Sequence, residues 1–132
     1  MVDGANEINA GQLDGLKMLL VDDSVDVTET MGALCEMEGA EVMIANDGPS
    51  ALALLAQHDF DVVVSDIGMP GMDGYELLNT LRRSTRNART PALALTGYGQ
   101  SEQVLAAGFT DQLCKPAPMA QVLSKIKLLT LR

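Results

Sequence analysis

The sequence predicts an α/β domain, an open, doubly wound parallel sheet of five strands with helices on both faces. Three observations predict it. Five short apolar runs alternate with helical patterns, and strands separated by helices run parallel. The run Val62-Val63-Val64-Ser65 carries the chain through a core without a charge, as a buried strand does. Two runs stop on acids: Met18-Leu19-Leu20-Val21 on Asp22-Asp23, and the third strand on Asp66. Ligand sites of open parallel sheets lie at the carboxyl ends of their strands, so three carboxylates are expected to converge there.

The elements follow in order. Residues 1–15 are polar, with Gly and Asn, and read as a tail or linker; the domain is expected over 16–132. Lys17–Val21 is the first strand. Residues 26–38 are a helix with Val27, Met31, Leu34 and Cys35 on one face, ended by Gly39. Glu41–Ala45 is the second strand. Asn46-Asp47-Gly48 is a turn, and Pro49 suits the first position of a helix running to about Gln57. After the third strand, residues 67–74 are punctuated by Gly and Pro and cannot be helix. Asp73 caps the next helix with Glu76 at capping-box spacing, and Leu77, Leu78 and Leu81 form its inner face. Residues 84–90 are a basic, polar loop. Ala92–Thr96 is the fourth strand, Ser101–Ala107 a short helix stopped by Gly108, and residues 112–114 the fifth strand. The last helix covers 119–131, with Met119, Val122, Leu123, Ile126 and Leu129 on one stripe.

Composition narrows the function. A 132-residue chain with 47% hydrophobic and 20% charged residues is one globular domain. No apolar run approaches the ~20 residues of a membrane span, and no signal core follows Met1, so a cytoplasmic location without membrane contact is expected. Cys35 and Cys114 have neither metal-type spacing nor disulfide density, and both are expected to be buried thiols. A net charge of −9 argues against nucleic acid and suits a cation site or a basic partner.

The polar residues at the strand ends make a chemical set. Asp22 and Asp23 follow the first strand, Asp66 the third; Thr96 ends the fourth, and Lys115 follows the fifth, before Pro116. Packed carboxylates repel one another unless a cation joins them, and Mg²⁺ takes oxygen ligands of this kind. A metal ion, a lysine and a hydroxyl around one free carboxylate form a phosphoryl-accepting site. There the cations neutralise the incoming oxygens, the hydroxyl donates to one of them, and Asp66 attacks in line. Taken singly, Asp22 and Asp23 also suit helix caps, Thr96 a turn and Lys115 a solvated surface. Capping does not explain two acids at a strand end with a third nearby. His58, the sole histidine, and the arginines 82, 83, 86 and 89 read as surface.

The chain resembles the receiver domains of two-component response regulators. The matching residues are Leu20-Val21-Asp22-Asp23-Ser24, Val64-Ser65-Asp66, Met69-Pro70-Gly71-Met72-Asp73-Gly74, Leu95-Thr96-Gly97 and Cys114-Lys115-Pro116, in order at suitable spacings over residues 16–131. The resemblance implies a flavodoxin-like (CheY-like) fold with strand order 2-1-3-4-5. It makes Asp66 the phosphoacceptor, fed by a phosphohistidine of a sensor histidine kinase or a histidine phosphotransfer protein. It implies Mg²⁺ held by Asp23, Asp66 and the Gly68 carbonyl, with Asp22 acting through water. It gives Lys115 to the phosphoryl group, makes Thr96 its reporter, and makes the Lys115–Pro116 bond cis. It implies no enzyme acting on a separate substrate, only a domain promoting its own Mg²⁺-dependent phosphorylation and dephosphorylation.

The departures from the family pattern are local. Gln112 stands where an aromatic switch residue is frequent, residues 96–108 are about three residues short, close to the ~3.6 of one helical turn, and Tyr98 is placed to take over part of the switch. These features fit a monomeric isolated chain. The entry at 13–17 and the string 95–100 look like receivers attached to hybrid histidine kinases, so a stand-alone regulator and a hybrid-kinase receiver both stay open. Arg132 ends the last helix, so no DNA-binding output domain is expected in the chain as given. Two other classes compete. A flavodoxin-like flavin carrier needs a phosphate-holding loop after the first strand, where Asp22-Asp23 would repel phosphate. An aspartate-nucleophile phosphatase needs an Asp-x-Asp-x-Thr string there, which Asp22-Asp23-Ser24-Val25-Asp26 does not match.

Overall fold

A computed structural model describes residues 11–84, 86–97 and 101–131. Among them five strands alternate with five helices: β1 Lys17–Val21, α1 Val25–Met37, β2 Glu41–Ala45, α2 Gly48–Gln57, β3 Val62–Asp66, α3 Gly74–Arg82, β4 Ala92–Thr96, α4 Ser101–Ala107, β5 Asp111–Cys114 and α5 Met119–Leu129. The strands form one parallel sheet in the order β2-β1-β3-β4-β5. Every residue of β3 and β4 is buried, whereas the edge strands β2 and β5 are mostly half-exposed. A central parallel strand is covered on both faces, which is why its sequence is an unbroken apolar run.

Alternation along the strands divides the core. Leu19, Val21, Val63, Ala92 and Ala94 face one layer with Ala51 and Leu55 of α2, Leu77, Leu78 and Leu81 of α3, and Val104 of α4. Met18, Leu20, Val62, Val64, Leu93 and Leu95 face the other, with Cys35 of α1 and Val122 and Ile126 of α5. Each fully buried aliphatic side chain contributes about 1.5–3 kcal/mol of transfer free energy, so a one-residue slip of any central strand is strongly disfavoured. The register ends Val21, Asp66 and Thr96 at the same edge of the sheet: Val21 pairs with Ser65, Asp66 with Leu95, and Thr96 with Cys114.

Several expectations are corrected. The inner face of α1 is Thr28, Gly32 and Cys35, whereas Val27 and Leu34 are 36% and 37% exposed. Gly32 lets the helix close on β2, where a Cβ would already stand 3.3 Å from Ile44 Cδ1. The tail reading fails from residue 11 on. Leu13 is fully buried, and its N–H donates to Glu38 O at 2.8 Å; residues 1–10 lie outside the described residues. Cys35 is buried, but Cys114 is exposed because it ends an edge strand.

The loop after α3 is not simply solvated. Asn87 is 2% exposed; its Oδ1 accepts from Phe60 N at 3.0 Å, and its Nδ2 donates to Leu55 O and His58 O, both at 2.8 Å. Arg82 donates to Gly108 O at 2.8 Å and Thr90 O at 2.6 Å, and burial lowers its pKa from the usual guanidinium range. His58 is half-buried, with Nδ1 3.3 Å from Lys17 Nζ.

Candidate functional site

The capping question resolves locally. The N-cap of α1 is Ser24, whose side chain accepts from Val27 N at 3.3 Å. That role is therefore filled, and Asp22 and Asp23 are left at the carboxyl end of β1 for other work. They differ in setting. Asp22 is 3% exposed: its Oδ1 accepts from Ser24 N at 2.9 Å, its N–H donates to Ala45 O at 3.2 Å, and its carbonyl accepts from Asn46 Nδ2 at 2.8 Å. Asp23 is exposed, and its carboxylate has no partner among the described residues.

Asp66 ends β3 and is 8% exposed. Its Oδ1 accepts from Ile67 N at 2.8 Å and lies 3.1 Å from Lys115 Nζ. The chain then turns back at once. Gly74 N donates to Ile67 O at 2.8 Å, and a Cβ at Gly74 would stand 2.5 Å from Asp66 O, so only glycine fits this approach. Gly68 is exposed at the start of this loop.

Lys115 follows β5, and its bond to Pro116 is cis, as the resemblance implies. Its main-chain N–H donates to Thr96 O at 2.7 Å, tying the ends of β4 and β5 together. Its Nζ lies 3.4 Å from Asp22 Oδ2 and 3.1 Å from Asp66 Oδ1. Burial alone pulls the Lys115 pKa down; hydrogen bonding to Asp66 and the charges of Asp66 and Asp22 outweigh it, and the pKa rises above the ordinary lysine value. The ammonium is thus charged at neutral pH.

Asp22, Asp23 and Asp66 each offer a carboxylate oxygen within 4.8 Å of the others. Three carboxylates and one ammonium leave an excess of negative charge when ionised. Hard oxygen donors at this spacing suit a divalent cation, so the donor chemistry fits Mg²⁺. The structure thus brings together Asp22, Asp23, Asp66 and Lys115. Thr96, 1% exposed, joins through the Lys115 main chain, while Gly68 lies exposed two residues beyond Asp66. Gln112 lies on β5 in register with Ala94, and its Oε1 is buried without a hydrogen-bond partner. Tyr98 lies outside the described residues. The sequence reading missed Ser24 as the cap and Asn46 as the residue holding Asp22; Asn46 sits in an Asn-Asp-Gly string that signals only a turn.

A five-stranded parallel sheet of order 2-1-3-4-5 with an acid cluster and a lysine at its carboxyl ends defines a class: CheY-like signalling domains of the flavodoxin type. The profile described as response regulator receiver domain matches residues 18–127. The chain belongs to that family, and it is a phosphoacceptor signalling domain of two-component systems. The flavin-carrier alternative finds no support.

Among curated relatives, an uncharacterised 14.6 kDa protein of Leptolyngbya boryana is 35% identical over 85% of this chain and 88% of its own length. The sensor histidine kinase AruS of Pseudomonas aeruginosa is 37% identical over 86% of this chain but only 12% of its own. The chain spans about half or less of the other relatives compared, including 21% of the Pseudomonas response regulator FleR. Among solved structures, the chemotaxis response regulator CheY4 of Vibrio cholerae superposes with a TM-score of 0.82 at 33% identity, over 86% of this chain and 98% of that one. The receiver domain of the Pseudomonas sensor histidine kinase PA1611, solved with magnesium in its active-site cleft, gives 0.79 at 29% identity, over 88% and 98%. No helix of the described residues is long and apolar enough to cross a membrane.

Proposed function

We propose that Asp66 is the phosphoacceptor and takes a phosphoryl group from a phosphohistidine of a sensor kinase or phosphotransfer protein. One observation carries the reading: the Asp66 carboxylate stands at the end of β3, held through Oδ1 by Ile67 N–H and Lys115, with both other acids in reach. Asp23, Asp66 and the Gly68 carbonyl would hold Mg²⁺, with Asp22 acting through water. Such an ion supplies charge neutralisation for the acids and the phosphoryl oxygens. The Asp66 oxygen not engaged by Ile67 attacks phosphorus as the phosphorus–nitrogen bond of the donor breaks, the electron pair leaving with the imidazole nitrogen. Lys115, released in part from the two aspartates, neutralises one phosphoryl oxygen. The Thr96 hydroxyl donates to another and carries the change into β4. The chain acts as a monomer in the cytoplasm.

Incubation with acetyl phosphate tests the acceptor. Intact-mass analysis should show one phosphoryl adduct that requires Mg²⁺ and is absent in Asp66→Asn. An adduct of equal yield in that variant would end the assignment.

The donor's approach is supported by α1. Val27, Met31 and Leu34 line an apolar groove with Ala117 and Met119, beside the loop that carries Asp23. Val25 next to it is 52% exposed. An apolar helix face bearing the donor histidine fits this strip. Leu34→Asp should slow transfer from a cognate phosphotransfer protein about tenfold or more, since a buried unpaired charge costs about 1.4 kcal/mol or more, and leave acetyl phosphate reactivity unchanged. Equal slowing with both donors would place Leu34 in the fold rather than in the docking strip.

A further inference from the structure

We infer that Asn46 is a positioning residue for the acid pair: it clamps the peptide unit from which both Asp22 and Asp23 take their direction. Asn46 Nδ2 donates to Asp22 O at 2.8 Å and to Thr28 Oγ1 at 3.0 Å. The carbonyl it grips belongs to the peptide joining Asp22 to Asp23. The tilt of that plane fixes the backbone angles on either side, and with them the direction of both side chains. The preceding peptide is held as well, because Asp22 N–H donates to Ala45 O at 3.2 Å. Residues 45 and 46 therefore hold both main-chain groups of Asp22 from the end of β2.

The second anchor is rigid. Thr28 is fully buried in the first turns of α1, and its hydroxyl donates to Val25 O at 3.0 Å while accepting from Asn46. Asp22 O is an acceptor only, so the group facing it must be the amide NH₂, and both of its hydrogens are used. Aspartate at 46 could donate neither bond, and serine only one. The clamp matters most for Asp23. Its carboxylate is exposed and has no side-chain partner among the described residues, so its aim depends on the backbone alone. A ligand held only by its main chain is positioned by whatever holds that main chain.

The inference rests on the cation site proposed above, and one experiment separates the two. Mg²⁺ affinity is measured by isothermal titration calorimetry on wild type, Asn46→Ala, Asn46→Asp, Thr28→Val and Asn87→Ala, with a melting curve for each. Asn46→Ala should weaken Mg²⁺ about tenfold, in the range found for residues that orient metal ligands. Acetyl phosphate reactivity should recover at saturating Mg²⁺. Asn46→Asp is the sharper arm: an added negative charge would tighten cation binding by electrostatics alone, whereas loss of the clamp weakens it. Thr28→Val, which removes one anchor, should weaken binding less. Asn87→Ala lowers the melting point at the other end of the sheet and should bind Mg²⁺ as wild type does, so lost stability alone does not mimic the effect. No Mg²⁺ binding by wild type overturns the cation site itself. Wild-type binding with unchanged affinity in both Asn46 variants, or in Thr28→Val should those variants not fold, overturns the clamp.

Discussion

At the amino ends of β3 and β4, Asn87 and Thr90 meet the main chain around Phe60 with neutral bonds, and the Arg82 guanidinium meets the Thr90 carbonyl; at the carboxyl ends, three aspartates cluster, and one lysine pairs with two of them. Both regions hold buried or half-buried polar groups close to the same strands. The first is closed: each amide hydrogen and oxygen of Asn87 has a partner within the chain. The second is open, because its negative charge exceeds what Lys115 can balance. A satisfied buried network specifies and rigidifies a fold, while an unbalanced one awaits something from outside. The difference separates what holds this domain together from what it does.

The largest expected effect breaks the closed end. Asn87→Ala leaves Phe60 N–H, Leu55 O and His58 O without their side-chain partner. Stability should fall by about 3 kcal/mol, the usual cost of leaving buried groups unmet. The increment in melting temperature given by Mg²⁺ should be unchanged. A loss of that increment would mean that the two ends are coupled.

Smaller is a pH effect in the apolar layer between them. Burial, aided by the charges of Glu38 and Glu36, pushes the Cys35 thiol up from 9.0 to about 11. The unfolded thiol ionises first, so the folded state loses stability as pH rises from about 9 and levels off above about 11, by roughly 2 kcal/mol and in all less than 3. Cys35→Ala should flatten this alkaline limb in denaturant titrations at stepped pH. Cys114, exposed on the edge strand, should react with a thiol reagent in the native protein while Cys35 does not. An alkaline limb of equal slope in Cys35→Ala would assign it to other groups.

Much of this was legible in the chain. Val62-Val63-Val64 ending on Asp66, and Leu19-Leu20-Val21 ending on Asp22-Asp23, announced buried parallel strands with acids at one edge, and the register places those acids together. What was not legible depends on contacts between distant segments. Val27 and Leu34 carry the helical period of α1 as well as Thr28 and Gly32 do; only the close approach to Ile44 selects the smaller pair for the inside. Asn87 and Asn46 each sit in a polar stretch with every local sign of a loop. Their work is done 27 and 24 residues away, on Phe60 and Asp22. Leu13 looked like part of a tail because one buried leucine has no period to betray it.

The open end is tested most directly by its stability with and without the cation, in wild type and in Asp23→Asn. Without metal, Asp23→Asn should melt no lower than wild type, and be up to about 1 kcal/mol more stable, because a repelling charge is gone. With Mg²⁺ at ten times its dissociation constant, wild type should gain about 1.4 kcal/mol by mass action, while the variant gains little. Melting of Asp23→Asn well below wild type in the absence of metal, or equal gains in both proteins on adding Mg²⁺, would contradict this.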